Sequence, residues 1–222
     1  MLWKRKAASG ALTEAVSAFL GNLANLLAAS RSNPKTAAMA TRIAAAAKAK
    51  SRKGEAAPSQ LPLCASFPML IANAYSHPGL DRLSSDLLVI EPLLNWSCRP
   101  AAGTFHRGRW PDGHINAVIV GEAGIEDRGA IKIGVSLMAP HVQTPDYYKP
   151  PEGMYLAMTA GRYKQGKSSW VDLGVGETFY NEPNAKHALA SDEEPFLVLW
   201  ALWDFVFERY PIAAMTGHHR FF

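Results

Sequence analysis

The chain has 222 residues, 48% of them hydrophobic, which is enough to bury the core of one barrel-sized domain with a helical extension. Its formal net charge of +4 is uneven, because residues 1–57 carry a net charge of +8 and the rest of the chain carries −4. The two cysteines, Cys64 and Cys98, lie far apart in sequence, so neither a disulfide framework nor a thiolate zinc site is indicated. This composition favours a reducing compartment, and we expect a cytoplasmic protein.

The basic N-terminal arm is rich in alanine and lacks interleaved aromatic residues, a composition more typical of a solvated helix face than of a nucleic-acid or lipid contact. The run Lys4-Arg5-Lys6 resembles the start of a signal peptide. However, Glu14, Asn22 and Asn25 interrupt the apolar stretch after it, and no unbroken apolar run approaches the about 18 residues of a membrane span. We therefore expect neither nucleic acid nor a membrane as a partner.

Apolar residues at helical spacing mark one face of the arm: Leu12, Val16, Phe19, Leu20, Leu23, Leu26 and Leu27. This stripe predicts an amphipathic helix that packs on another surface, and a homodimer through the N-terminal helices is one possibility. The run Ser32-Asn33-Pro34 predicts the cap and first residue of a second helix that extends to about Lys50. Residues 51–60 have the composition of a linker.

Two more helical segments are predicted, from about Pro68 to Tyr75 and from Ser85 to Leu94, with Ser84 or Ser85 as the cap of the second. The first 95 residues are therefore predicted to be mostly helix, in about four helices. The residue pattern changes from residue 104, where short apolar segments alternate with Gly, Pro and Asp clusters.

These segments are 115–120, 131–138, 154–158, 177–180 and 196–203. Their lengths and spacing predict short strands of an antiparallel barrel or jelly roll, so the fold class is mainly β with a helical N-terminal region. The predicted layout is a helical region at 1–95, a barrel at 96–210 and a tail at 211–222. Gly174-Val175-Gly176 lacks the setting of a dinucleotide loop and is interpreted as a tight turn between strands.

Several short segments keep their order and spacing over roughly residues 96–204: Asn116–Gly121, Gly134–Val142, Tyr155-Leu156, Gly174–Gly176, Tyr180–Pro183, His187-Ala188 and Leu199–Trp203. Together they resemble the cupin-type dimethylsulfoniopropionate lyases. The resemblance implies a single cupin barrel and cleavage of a sulfonium zwitterion to dimethyl sulfide and acrylate. It also implies a bound divalent metal such as Zn, Fe or Mn, and a tyrosine base.

The site residues of that family carry over only in part. Tyr155 matches the tyrosine, which can act as base and metal ligand, and His187 matches one metal-binding histidine. The remaining motif positions differ, with Thr144 at a tyrosine, Tyr147 and Lys149 at two histidines, and Gly153 at a glutamate. Glu152 lies one place from the glutamate position, but a one-residue slip along a strand turns a side chain to the opposite face.

A lysine ammonium in the cavity repels a cation, so a metal would need other ligands, for which His106, His114 and His141 are the candidates. Alternatively, Lys149 takes over the electrostatic task of the metal and stabilises the charge that develops beside the substrate carboxylate. Tyr155 would then be the base, provided that the ammonium lowers its pKa from the usual value of about 10.

Three aromatic residues, Tyr147, Phe179 and Trp200, are candidates to hold the dimethylsulfonium group by cation–π contact, although Trp200 also suits core filling. A different hypothesis is a non-catalytic module that binds a small carboxylate or zwitterion, with Lys149 as its carboxylate anchor. A Schiff-base enzyme acting on another carbonyl compound is a third. Lys149 buried near His187 would favour catalysis, and Lys149 in solvent would favour the binding module.

Overall fold

The computed structural model of the protein describes residues 2–30, 34–98 and 113–203. The helices are α1 (Leu2–Ala29), α2 (Pro34–Lys48), α3 (Phe67–Tyr75) and α4 (Asp81–Ile90), with 3-10 turns at Pro62–Ser66 and Glu91–Leu93. The predicted stripe of α1 is confirmed, because its central residues Val16, Phe19 and Leu20 are fully buried. They pack within the same chain, so the stripe already has a surface to cover it, and a homodimer through these helices stays a prediction.

The predicted start of α4 is wrong by four residues. The helix begins at Asp81, so Ser84 and Ser85 lie inside it, and the Ser85 hydroxyl donates to the Asp81 carbonyl one turn earlier. A serine hydroxyl inside a helix can bond to the carbonyl one turn earlier instead of capping a first turn, so the presence of serine alone did not locate the boundary.

The strands form two sheets. They are β1 (Arg52–Lys53), β2 (Ser97–Cys98), β3 (His114–Val120), β4 (Glu126–Asp127), β5 (Ile131–Met138), β6 (Tyr147–Tyr148), β7 (Glu152–Ala157), β8 (Gly161–Gln165), β9 (Val171–Leu173), β10 (Thr178–Asn181), β11 (Lys186–Ala190) and β12 (Phe196–Trp203). The larger sheet has the order β1-β4-β3-β5-β12-β7-β10, with β2 also paired to β3, and the smaller sheet has the order β6-β11-β8-β9. The neighbours are antiparallel except β3 and β4. This arrangement is consistent with the predicted jelly roll.

The larger sheet is buried on both faces. Its outer face and the helices share one hydrophobic cluster, while its inner face and the smaller sheet enclose a second. This explains why β5 and β12 are near-continuous apolar runs rather than alternating ones. The molecule therefore has three layers, with the helices on one side and the candidate site between the two sheets.

The segment 51–60 is attached to the sheet rather than free as a linker would be. Arg52 and Lys53 pair with β4, and the backbone amide of Gly54 donates to the Ile125 carbonyl at 3.0 Å. A Cβ atom on Gly54 would lie 1.9 Å from the Gly124 carbonyl oxygen, so the close approach of the two chains requires glycine here.

A buried ion pair joins the helices to the sheet. The Arg128 guanidinium bonds Glu126 with Nη2 at 2.7 Å and also donates to the Ser17 hydroxyl of α1 at 2.9 Å. Its Nη1 donates to the carbonyl oxygens of Ala46 and Ala47 at the end of α2, at 3.2 and 2.9 Å. One side chain therefore contacts α1, α2 and the sheet, and it places a positive charge at the negative end of the α2 dipole.

Residues Gly10–Ala29 of α1 are long and apolar enough, by length and composition, to cross a membrane. The interruptions in the sequence had led us to expect no such segment. A helix that packs its apolar face on a protein core meets the same criteria, and Leu23 and Leu27 of this segment are 3% and 1% exposed in the fold.

Candidate active site

Tyr155 lies on the inner face of β7, between β12 and β10, and is 1% exposed. Its ring stacks on Phe179 with centroids 4.4 Å apart, and Tyr163 stacks on the opposite face of Phe179 at 4.3 Å. Both faces of Phe179 are thus covered. A cation is attracted to the face of an aromatic ring and not to its edge, so Phe179 packs the Tyr155 ring and has no face left for a sulfonium group.

His187 faces Tyr155 from β11 of the smaller sheet and is also buried. Its Nδ1 lies 3.1 Å from the Ala185 carbonyl oxygen, which can only accept, so Nδ1 carries a proton. In the neutral ring, Nε2 is then an acceptor, and the Tyr155 hydroxyl donates to it at 3.0 Å. The two residues that match the family motif therefore form a buried phenol–imidazole pair.

Lys149 follows β6 and is half-buried beside this pair. Its Nζ lies 5.1 Å from the centroid of the Trp200 ring and 5.8 Å from that of Tyr147. Tyr147 in turn contacts the His187 ring with centroids 4.2 Å apart, and Trp200 is the cross-strand partner of Tyr155. The structure thus brings together the catalytic and aromatic candidates singled out in the sequence. The sequence analysis distinguished a buried Lys149 from a solvated one, and its burial is between the two.

Trp200 is held from a second side. Its indole Nε1 donates to the Ser136 hydroxyl at 3.1 Å, and Ser136 in turn donates to the Asn116 side-chain oxygen. The ring therefore fills the core, as one interpretation expected, and also presents a face to Lys149. Gly134, its partner on β5, leaves room for the ring, because a Cβ atom there would lie 2.3 Å from the indole.

Two amide side chains extend the site, and sequence reasoning did not find them. Gln165 lies directly opposite His187 on the neighbouring strand β8. Its Nε2 donates to the Asn181 Oδ1 at 2.8 Å, and Asn181 is 3% exposed on the inner face of β10, two residues from Phe179. No motif marks these residues, because their proximity depends on how β8 of the smaller sheet faces β10 of the larger sheet.

Glu152 lies on the outer face of β7, opposite in direction to Tyr155. It forms an ion pair with Arg42 of α2 and accepts from the Tyr180 hydroxyl. Burial, followed by the charge of Glu182, raises the pKa of Tyr180, so that phenol stays a neutral donor. The expectation that a one-residue slip removes Glu152 from the inner face is confirmed.

The other candidates for ligands lie elsewhere. Thr144 is buried and bonds the backbone of Leu189, and His141 is exposed and lies 3.4 Å from Glu193. His114 of β3 is buried opposite Met138 of β5, toward the other end of the inner wall. His106 lies outside the described residues.

The donor set near His187 does not fit the divalent metal that the sequence resemblance implies. Within residues 2–30, 34–98 and 113–203, no group of three or more His, Cys, Asp or Glu side chains could hold a metal ion. His187 Nε2 is engaged with the Tyr155 hydroxyl, and the half-buried Lys149 contributes a positive charge nearby. A catalytic divalent site usually draws about three protein ligands, so these residues are poorly matched to such an ion.

Comparison with known proteins identifies the family. The model of the dimethylsulfoniopropionate (DMSP) lyase family matches residues 35–198. A structure from work on the DMSP lyases RdDddP and RnDddQII is 16% identical, with a TM-score of 0.63, over 86% of this chain and 93% of that one. The DMSP lyase DddQ from Ruegeria pomeroyi DSS-3 is 17% identical, with a TM-score of 0.56, over 83% and 92%.

At these identities the two structures establish the cupin fold, and a search of curated proteins finds no match. Cupin lyases of this kind are often metal-dependent, which makes the donor set around His187 atypical. The family model covers well over half of the sequence, and the chain therefore belongs to the DMSP lyase family.

Proposed function

We propose that the protein is a carbon–sulfur lyase that acts on a small sulfonium carboxylate such as dimethylsulfoniopropionate, and that Lys149 supplies the positive charge that a metal would otherwise supply. The observation that carries the proposal is the 3.0 Å hydrogen bond from the buried Tyr155 hydroxyl to His187 Nε2, with a lysine beside it. Family membership supplies the reaction class. A cytoplasmic location is part of the same proposal.

The phenol–imidazole pair is suited to proton abstraction. A neutral phenol is a weak base, but the Tyr155 oxygen can accept a proton from carbon while its own proton moves to His187 Nε2. The bond from Nδ1 to the Ala185 carbonyl then stabilises the imidazolium that forms. No free phenolate is needed before the substrate binds.

The elimination balances without a further reactant. The base removes the proton from the carbon next to the carboxylate, the electrons of that C–H bond form the C=C bond, and the C–S bond breaks. Dimethyl sulfide leaves with the C–S electron pair, and acrylate remains. Negative charge grows on the carboxylate side as the proton leaves, and a fixed ammonium such as that of Lys149 lowers the energy of that state.

Charge also orients the substrate. The Lys149 ammonium lies against the faces of Trp200 and Tyr147, so a sulfonium at those faces would meet a like charge. The carboxylate is therefore the end that approaches Lys149. The same observation favours a second candidate function, a binding module for a small carboxylate without a cationic group, because the ring faces are engaged by the protein's own cation.

The test is dimethyl sulfide release from dimethylsulfoniopropionate by the native protein, by Lys149→Met and by Lys149→Arg. We expect Lys149→Met to lose about 10²- to 10³-fold in rate, while Lys149→Arg retains most of the activity because it keeps the charge. Equal rates in the native protein and Lys149→Met would contradict the proposed role. Acrylate binding by a native protein that releases no dimethyl sulfide would support the binding module instead.

A further inference from the structure

We infer that the side-chain amide of Asn181 donates a hydrogen bond to the carboxylate of the ligand, an assignment that rests on the function proposed above. Asn181 is 3% exposed on the inner face of β10. Its Nδ2 is fully buried and has no hydrogen-bond partner within the part of the chain that the structure describes. Buried polar groups are nearly always paired in native proteins, so an unpaired donor that adjoins the phenol–imidazole pair is suited to bind a ligand there.

The orientation of this amide follows from its neighbours. The Nε2 of Gln165 donates to the Tyr180 carbonyl at 3.3 Å, and a carbonyl oxygen can only accept. The atom that Gln165 presents to Asn181 is therefore a nitrogen, so Asn181 must present its oxygen in return, at 2.8 Å. That contact fixes Nδ2 on the other branch of the Asn181 side chain.

The strands adjoining Asn181 connect its amide to the base. Across the ladder from Asn181 is Gly153, which has no side chain and so offers the amide no acceptor. On the other side, Gln165 is the cross-strand partner of His187, which accepts from Tyr155. The amide pair thus adjoins the phenol–imidazole pair.

The chemistry of the proposed substrate identifies which group the amide meets. Dimethylsulfoniopropionate has two hydrogen-bond acceptors, both of them carboxylate oxygens, and its sulfonium end accepts nothing. A donor on the wall and the Lys149 ammonium therefore both address the carboxylate, and Asn181 determines how that group is placed relative to the base. Asn181 is a positioning and specificity residue in this account.

Asn116 provides a matched control. It is the other asparagine on the inner wall whose Nδ2 has no partner among the described residues, and its oxygen accepts from Ser136. However, Asn116 lies on β3 opposite Ser136, so that β5 and β12 separate its strand from the β7 strand of Tyr155. An asparagine-to-aspartate change there produces the same chemical alteration with two strands between it and the strand of the base. It keeps the oxygen that accepts from Ser136, so the bonds that hold Trp200 remain.

The experiment is calorimetric titration with acrylate of the native protein, Asn181→Asp and Asn116→Asp. Asn181→Asp keeps the acceptor for Gln165 and replaces the donor by an oxygen, so we expect the Kd for acrylate to rise about tenfold to a hundredfold. We expect Asn116→Asp to stay within about twofold of the native value. If Asn181→Asp unfolds, Asn181→Ala is the second variant, since Gln165 keeps its bond to the Tyr180 carbonyl.

An unchanged Kd in a folded Asn181 variant, a larger loss in Asn116→Asp, or no acrylate binding by the native protein would each overturn the assignment. Failure of the proposed lyase function has a different signature, because the native protein would then bind acrylate through Asn181 and release no dimethyl sulfide. The two inferences can therefore be rejected separately.

Discussion

Tyr155 takes part in two kinds of contact whose contributions can be separated. Its ring is stacked on Phe179 with an interplanar angle of 4°, which is packing, and its hydroxyl donates to His187, which is the chemistry we propose. Offset stacking holds a ring in one plane, so the phenol oxygen is presented to His187 from a fixed direction.

Tyr155→Phe removes the oxygen and keeps the ring. We expect dimethyl sulfide release to fall by about 10²- to 10⁴-fold, the usual contribution of a general base, while the free energy of unfolding falls by about 1 kcal/mol for one lost hydrogen bond. Initial rates with a denaturant unfolding curve for each variant separate the two effects.

Tyr163→Phe is the matched control, because Tyr163 stacks on the opposite face of the same Phe179. Its activity should stay within a few-fold of the native protein. Similar losses in both tyrosine variants would show that the stack, and not the Tyr155 hydroxyl, controls the reaction.

The resemblance to a family motif predicted Tyr155, His187 and Lys149 as site residues, and the structure places Tyr155 against His187, with Lys149 near the rings of Tyr147 and Trp200. Their roles stay a prediction. Alternation along the strand predicted that Glu152 faces away from Tyr155.

The sequence did not predict that both faces of Phe179 are covered, because the stacking of Tyr163 on Phe179 depends on the distance between the two sheets. Asn181 could not be predicted either, since no sequence spacing marks a buried amide pair such as Gln165 and Asn181.

At the scale of elements, the buried Arg128 side chain joins α1 and α2 to the larger sheet. Its side chain is 1% exposed and that of its partner Glu126 is 6% exposed, so removing the arginine leaves a buried carboxylate without its counter-ion. Loss of one partner of a buried pair typically costs about 3–5 kcal/mol.

Arg128→Met is therefore expected to lower the free energy of unfolding by about 3–5 kcal/mol, measured in urea. Arg52→Met is the comparison, because Arg52 pairs with the adjacent Asp127 but is 64% exposed. That change should cost at most about 1 kcal/mol. A small loss in Arg128→Met would mean that apolar packing alone holds the helices in place.

The elements that sequence reasoning identified correctly are those with a strong apolar pattern. The predicted strands 131–138 and 196–203 correspond to β5 and β12, because strands buried on both faces are apolar throughout.

Strands β8 and β11 were missed in the sequence. Their outward residues, such as Arg162, Lys164 and Lys186, are charged and form ion pairs with Asp192 and Asp146 on the surface, which hides the strand pattern. The hydrogen bond from Lys164 lowers the pKa of Asp146, so that pair stays ionised at neutral pH.

At the scale of the whole molecule, the three layers separate stability from chemistry. The helices and the outer face of the larger sheet form one core, and the phenol, imidazole, ammonium and amides lie between the two sheets. Substitution of inward-facing residues therefore leaves the first core intact. This arrangement explains how a chain can keep the fold of the DMSP lyases while its donor set departs from a metal site.

The most direct test of the account is dimethyl sulfide release by the purified protein before and after chelation, with the metal content determined on the same sample. We predict release that chelation leaves unchanged and less than stoichiometric metal, because Lys149 and the Tyr155–His187 pair carry the reaction. Release that chelation abolishes and that a divalent ion restores, with one ion bound per chain, would contradict it.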